Sequence, residues 1–189
     1  MSTSPPLADP IPTADALQRI RVRTLWVLSA GQVLGGLAFG ATAALGAVLA
    51  AEISGDDALS GLALALVTLG TAALAVPLAT YAQRHGRRGA LTLGMVIALV
   101  GVALVIPATA MRSFPLLLVG FALIGAGSTA NLQTRFAAAD LATDASRGRD
   151  LSVVVWATTI GAVAGPNLVG PGEALGGLIG MPPLTGPYL

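Results

Sequence analysis

The sequence predicts an all-α integral membrane protein with about five transmembrane helices, and three observations support this class. Of the 189 residues, 54% are hydrophobic and only 10% are charged, whereas soluble domains carry about 25% charged residues. The apolar residues form long blocks. At about 1.5 Å per helical residue, each block is long enough to cross a hydrocarbon layer of about 30 Å. Short polar segments, which contain most of the arginines, separate the blocks.

The blocks define the order of the elements along the chain. Residues 1–18 are rich in Pro, Ser and Thr, and we expect a disordered cytoplasmic tail that lacks the pattern of a cleavable signal peptide. Residues 181–189 are expected to form an extracytoplasmic tail. Between them lies a helical membrane domain over 19–180, with predicted spans at about 24–51, 58–82, 89–110, 114–139 and 151–179.

The arginines are divided unequally between the two sides that five spans imply. Arg112 is alone on one side. The side of the N-terminus holds the other nine, namely Arg19, Arg21, Arg23, Arg84, Arg87, Arg88, Arg135, Arg147 and Arg149. Arginines that flank membrane helices accumulate on the cytoplasmic side. The sequence therefore predicts a multi-pass protein of the cell (plasma) membrane with a cytoplasmic N-terminus.

Composition excludes several classes of function. The chain has no Cys and no Lys, and its single histidine, His85, lies in a predicted loop. A thiolate or multi-histidine metal site, a Ser–His nucleophile and a P-loop are therefore excluded. A net charge of +1 gives no general attraction to nucleic acid. We expect no enzyme activity, no cofactor and no metal, and the lipid bilayer is the expected partner.

The segment YAQRHGRRGA, residues 81–90, concentrates positive charge in the loop between the second and third spans. Gly86 supplies the positive φ that a sharp turn requires, and the charges alone would anchor the topology. Arg84, Gly86, Arg87 and Arg88 also match the second half of the pattern Gly-x-Leu-Ala-Asp-Arg-x-Gly-Arg-Arg/Lys. The loop thus resembles the signature loop of the major facilitator superfamily. The resemblance implies a cytoplasmic gate, but Gln83 replaces the Asp of its charge relay and cannot supply the counter-charge.

A second pattern, GAVAGPNLVG, lies in the fifth span. Gly161, Gly165, Pro166 and Gly170 match the fifth-helix pattern Gly-x-x-x-Gly-Pro-x-x-Gly-Gly, which is associated with exporting members of that family. Pro166 removes a backbone hydrogen bond and is expected to bend the helix. Gly161 and Gly165 form a face that another helix can approach closely. From about residue 20 to 180 the chain resembles the N-terminal part of a drug or metabolite exporter.

Two amide side chains lie inside the predicted spans at similar depth. Gln32 is about eight residues from the cytoplasmic end of the first span, and Asn131 is at a similar distance from that end of the fourth. An amide in hydrocarbon is unfavourable unless it faces protein or water. Because the resembling family lines its substrate cavity with these two spans, the amides are candidate cavity groups. A structural bridge between helices is an equally good interpretation.

Two charged residues lie near the ends of spans. Arg135 follows Asn131 by one helical turn on the same face, and the resemblance assigns it to the gate, where the usual acidic partner is absent. Glu173 lies near the outer end of the fifth span, where an intramembrane acid would be a candidate for ion coupling. We expect residues 170–172, Gly-Pro-Gly, to end the helix and leave Glu173 in a solvated loop.

These observations predict transport of a small molecule by alternating access, as part of a secondary active exporter that is truncated here. The resembling family has twelve or more spans in two halves, so we expect a missing C-terminal half or self-association to complete the fold. The alternative is a small helical membrane protein that acts by helix–helix association with a partner and is not itself a transporter.

Overall fold

The structure, a computed structural model, describes residues 14–140 and 146–188. These residues contain helices and no strand, which confirms the predicted all-α class. The long helices are α1 (Ala14–Ser54), α2 (Leu62–Ala110), α3 (Phe114–Asp140), α4 (Arg147–Ala164) and α5 (Val169–Leu178). Short 3-10 helices cover Asp57–Leu59, Gly165–Leu168 and Gly186–Tyr188.

Helix α2 is broken at Gly86 into a first arm, 62–85, and a second arm, 87–110. Gly86 has φ 80° and ψ 160°, a conformation that glycine adopts without steric cost. A Cβ added at Gly94 would lie 3.3 Å from Leu78 Cδ1. These two residues are equally far from the break in sequence, so the arms lie side by side as an antiparallel hairpin. The predicted turn at Gly86 is therefore confirmed.

Within the described residues, four helical stretches are long and apolar enough to cross a membrane. The stretch over Asp57–Ala110 contains both arms of α2, and dividing it at Gly86 gives five membrane-crossing segments, as predicted. The chain is therefore a multi-pass membrane protein. We call the end of the bundle that holds Gly86 the Gly86 end, which is the predicted cytoplasmic side. The opposite end is the Arg112 end.

Two expectations about where helices begin and end were wrong, although the predicted end of the fifth span at 179 agrees with the end of α5 at Leu178. Helix α1 begins at Ala14, so residues 14–18 belong to a helix and not to the expected disordered tail; residues 1–13 lie outside the described part. The helix also does not end at residues 170–172, because α5 continues to Leu178. Pro171 is in the first turn of α5, where a missing backbone N–H costs little. The bend predicted at Pro166 corresponds to the 3-10 turn Gly165–Leu168.

The buried apolar side chains are concentrated at the Arg112 end. The largest of them, Phe121 and Leu49, are fully buried. They belong to a cluster that joins the end of α1, the outer parts of both arms and the start of α3: Leu45, Leu49, Ala50, Ala63, Val67, Val105, Ala108, Leu117 and Phe121. The main apolar cluster therefore lies at the Arg112 end, while smaller buried groups, such as Leu78 and Ala90, pack nearer the Gly86 end.

Glycines bring the helices together in two pairs, α1 with α4 and α2 with α3. A Cβ at Gly165 would lie 2.5 Å from Leu37 O of α1, and one at Gly101 would lie 2.7 Å from Gly120 O of α3. Contacts this close leave no room for a side chain. The close-packing face at Gly161 and Gly165 exists as predicted, but α1 of the same chain fills it, rather than a missing half or a second copy.

Candidate functional site

Gln32 joins three helices near the middle of the bundle. Its side chain is only 1% exposed. Its Nε2 donates a hydrogen bond to the backbone oxygen of Asn131 on α3 at 2.9 Å, and its Oε1 accepts one from Thr158 Oγ1 on α4. A buried amide with partners on two neighbouring helices is a structural bridge. Of the two interpretations that the sequence left open for Gln32, the contacts favour this one.

Asn131 meets Gln32 at the same depth, as predicted, but its side chain is differently placed. Its Oδ1 is buried and has no hydrogen-bond partner among the described residues. Its Nδ2 packs on α1, 2.7 Å from the position that a Cβ would take at Gly35. Buried polar atoms are nearly always hydrogen-bonded, to protein or to water. Of the two amides, Asn131 is therefore the one whose side-chain oxygen is left without a hydrogen bond among the described residues.

A cavity of about 90 Å³ lies beside these amides, between α1, the second arm of α2 and α3. Its wall consists of Val27, Leu28, Gly31, Gln32, Leu91, Met95, Ala130, Asn131 and Thr134. This wall is mainly apolar, and its polar residues, Gln32, Asn131 and Thr134, come from α1 and α3. That composition is typical of sites for small molecules, although the volume corresponds to only about three water molecules.

Arg135 lies one turn from Asn131 toward the Gly86 end. Its Nε is buried without a hydrogen-bond partner, and so is the Oγ of Ser29 on α1. The side chain of Asp140, the next acid along α3, lies outside the described part. With Asn131 Oδ1, these atoms are the three unpaired buried polar atoms among the described side chains. All three belong to the halves of α1 and α3 nearer the Gly86 end.

The predicted gate loop lies at the surface, apart from the cavity. Gln83, Arg84, Gly86, Arg87 and Arg88 are all exposed. The Tyr81 and His85 rings stack beside them, with centroids 4.2 Å apart. Within the described part of the chain, no hydrogen bond or ion pair joins Arg135 to this loop. The five loop residues therefore lie together at the surface, and Arg135 lies on α3.

The structure contains an ion pair that the sequence did not suggest. Arg21 Nη2 lies 2.6 Å from Asp150 Oδ2, and Arg21 Nε donates to the same oxygen at 3.1 Å. Asp150 is buried in the first turn of α4, where an acid also interacts favourably with the helix dipole. The pair ties α1 to α4 at the Gly86 end, so Arg21 does more than anchor the topology.

Arg112, the exception to the arginine asymmetry, also has a structural role. Its Nη2 donates to the backbone oxygen of Glu52 at 2.7 Å. Glu52 is in the last turn of α1, whose carbonyl groups have no partner within the helix. A cation is favourable at this end of a helix. Arg112 therefore caps α1 and links it to the turn between α2 and α3.

Glu173 lies in α5, and its carboxylate binds the backbone of the C-terminal segment. Oε2 accepts a hydrogen bond from the Leu184 N–H at 2.8 Å, and Oε1 accepts one from the Gly186 N–H at 2.9 Å. The expectation of a solvated loop at this residue was wrong. Both carboxylate oxygens hold the segment that follows α5, so the contacts give Glu173 a structural task at the Arg112 end.

Comparison with known proteins gives consistent matches. A family model described as the Major Facilitator Superfamily matches residues 28–182. The chain is 41% identical over 167 residues to the uncharacterized MFS-type transporter YdeG of Bacillus subtilis, and 39% identical over 167 residues to YddS of the same organism. It is 33% identical over 150 residues to the riboflavin transporter RfnT of Brucella anthropi.

These matches cover most of this chain but less than half of each relative. The aligned part is 88% of this chain and 39% of YdeG, 88% and 38% for YddS, and 78% and 37% for RfnT. The chain thus spans about two fifths of the length of these relatives. No solved structure gives a significant match.

Proposed function

The chain belongs to the Major Facilitator Superfamily, and we propose that it is the N-terminal part of a transporter that moves a small molecule across the cell membrane by alternating access. The match over residues 28–182 carries the proposal, because it spans all five membrane-crossing segments. The relatives named above are designated transporters, and the proposal involves no enzymatic step. Transporters of this kind bind their substrate between two halves near the middle of the bilayer.

Within this proposal, Asn131 is the residue that contacts the substrate and Gln32 positions it. Asn131 lines the cavity and its buried Oδ1 has no hydrogen-bond partner among the described residues, whereas Gln32 uses its amide to join α1, α3 and α4. Glu173 is not assigned to ion coupling, because backbone N–H groups bind both of its oxygens.

Export is the proposed direction, supported by the glycine and proline pattern at Gly161, Gly165, Pro166 and Gly170. The alternative is a small protein that acts by helix association with a partner. The glycine face at Gly161 and Gly165 does not support it, because α1 of the same chain occupies that face.

Transport can be tested with a chimera in which this chain replaces the matching 167 residues of YdeG. Inside-out vesicles that contain the chimera, YdeG or the chain alone are assayed with a panel of labelled solutes, including riboflavin because of the name of RfnT. We expect the chimera to move the solutes that YdeG moves and the chain alone to move none. Inability of a folded chimera to move any of those solutes would contradict the proposal.

The proposed orientation is testable because the chain contains no Cys. We expect a single cysteine at Asp57 to react with an impermeant thiol reagent on intact cells. Cysteines at His85 and Arg149 should react only after permeabilisation, since nine arginines hold their side in the cytoplasm. All three positions are exposed. Labelling at position 85 but not at 57 on intact cells would reverse the orientation.

A further inference from the structure

The chain turns back after α5 and forms a short strap, residues 181–188. Gly180 has φ 74°, and the N–H groups of Gly180 and Met181 donate to the backbone oxygens of Gly177 and Gly176 at 3.3 and 3.0 Å. This is the hydrogen-bond pattern with which many helices end at a glycine in the left-handed conformation. The strap therefore begins with a reversal of the chain at the end of α5.

The strap lies against α5, backbone to backbone. A Cβ at Gly176 would lie 2.6 Å from Gly186 Cα, and one at Gly172 would lie 2.8 Å from Pro187 Cα. These two glycines of α5 are one helical turn apart, so the strap follows one face of the helix. Thr185, between the points of contact and the reversal, is fully buried. The strap is thus a packed part of the fold.

The backbone of the strap is strained at Leu184. This residue has φ 65°, a left-handed conformation that costs free energy in any residue with a Cβ. Such a conformation persists only where the surrounding contacts hold it. The Leu184 side chain packs against the apolar cluster at the Arg112 end. The strap is therefore held in place by its contacts and not by the preference of its own backbone.

The polar contact that holds the strap comes from Glu173. The strap contains three prolines, which have no N–H. Thr185 N–H donates to the Pro182 backbone oxygen, whereas the N–H groups of Leu184 and Gly186 donate to Oε2 and Oε1 of Glu173 at 2.8 and 2.9 Å. An ionised carboxylate accepts on both oxygens, and its hydrogen bonds are stronger than those of a neutral group. The ionised form of Glu173 is thus the form that matches both N–H groups.

The segments around Glu173 contain no other described ionisable side chain. Apart from Glu173, no Asp, Glu, His, Arg or Tyr occurs in α5, in the 3-10 turn Gly165–Leu168 or in residues 181–187. The side chains of residues 188–189 lie outside the described part. The other charged residues at the Arg112 end are Glu52, Asp56, Asp57 and Arg112. Within the described part, no hydrogen bond or ion pair joins these four to Glu173. Among the described contacts, a change of charge at Glu173 therefore acts first on the strap.

We propose that the strap is a latch controlled by the charge of Glu173: the carboxylate holds the strap on α5, and protonation releases it. A protonated carboxyl group keeps one carbonyl acceptor and has no charge. One N–H of the strap then loses its partner, and the strained backbone at Leu184 loses a contact that holds it. The latch responds to acidity at the Arg112 end, the proposed outer side, whichever solute the protein transports.

Hydrogen exchange of the strap amides in the purified full chain, in nanodiscs, tests this latch. Since proline has no amide hydrogen, the strap peptide reports mainly on Leu184, Thr185 and Gly186. At about pH 7, Glu173→Gln should exchange these amides at least about tenfold faster than the wild type, because the neutral amide offers one acceptor oxygen in place of two. Glu52→Gln neutralises an exposed acid at the same end. It is the matched control and should exchange as the wild type does.

The pH dependence of this exchange separates the charge of Glu173 from its shape. Exchange is measured from about pH 7 to about pH 3, a range over which carboxylic acids of proteins take up a proton. Each rate is compared with that of the unfolded peptide at the same pH. The wild type and Glu52→Gln should protect the strap at the upper end of the range and lose this protection as the pH falls. Residues 45–50, in the apolar cluster, should stay protected throughout.

Protection of the strap that persists in Glu173→Gln overturns the proposal, and so does protection that the wild type keeps at about pH 3. If the strap and residues 45–50 lose protection together, the strap does not open separately and the proposal is also wrong. If Glu173→Gln does not fold, the pH series of the wild type decides the question without any variant.

Discussion

Replacement of Gly161 by Leu is expected to separate α1 from α4 and to abolish stable folding. A Cβ at Gly161 would overlap Val33 O and would lie 2.9 Å from Leu37 N. Both are backbone atoms of α1, so they can move away only if the helices part along the whole seam. Overpacking a core usually costs about 1–3 kcal/mol. Because the backbones themselves are in contact here, we expect a loss of about 4 kcal/mol or more.

Gly170→Leu is the matched control for this prediction. Gly170 belongs to the same sequence pattern, but a Cβ there would meet nothing within 4 Å. Its replacement should change stability by no more than about 0.5 kcal/mol, as is usual for exposed positions. The measurements are the yield of monodisperse protein in detergent and its thermal unfolding midpoint. A folded Gly161→Leu variant with the midpoint of Gly170→Leu would show that the α1–α4 packing is wrong.

The comparison of these glycines shows what the sequence could predict. The spans and the turn at Gly86 were predictable, because hydropathy and glycine conformation are local properties of the chain. The pattern at Gly161 and Gly165 also predicted a close-packed face. It could not name the helix that fills this face, because GxxxG describes a surface and not its partner.

The remaining features depend on contacts between residues far apart in the chain. Arg21 and Asp150 are separated by 129 positions in the sequence. The distribution of arginines predicts only that both residues lie near the cytoplasmic side, and not that they form an ion pair. Glu173 was assigned to a loop because Gly and Pro usually end helices. Here Pro171 occupies a first turn, and the N–H groups of Leu184 and Gly186 return to the carboxylate. Neither arrangement has a signal in the residues next to it.

The two amides at the centre of the bundle are expected to respond to substitution in opposite ways. Gln32→Met removes hydrogen bonds to α3 and α4 while keeping the volume of the side chain. Each interhelical hydrogen bond in a membrane contributes about 0.6 kcal/mol on average. Together with the desolvation of the partner groups left behind, we expect a loss of about 2 kcal/mol.

Asn131→Leu instead removes a buried oxygen that has no partner among the described residues. Replacing an unsatisfied polar group by an apolar one of similar size is neutral or stabilising, by up to about 1 kcal/mol. The midpoint of thermal unfolding should therefore fall in Gln32→Met and hold or rise in Asn131→Leu. Transport by the YdeG chimera should fall in both variants, through lost structure in the first and lost substrate contact in the second.

If Asn131→Leu lowers the midpoint as much as Gln32→Met does, Asn131 is a second structural bridge. If it leaves both midpoint and transport unchanged, Asn131 does not bind the substrate.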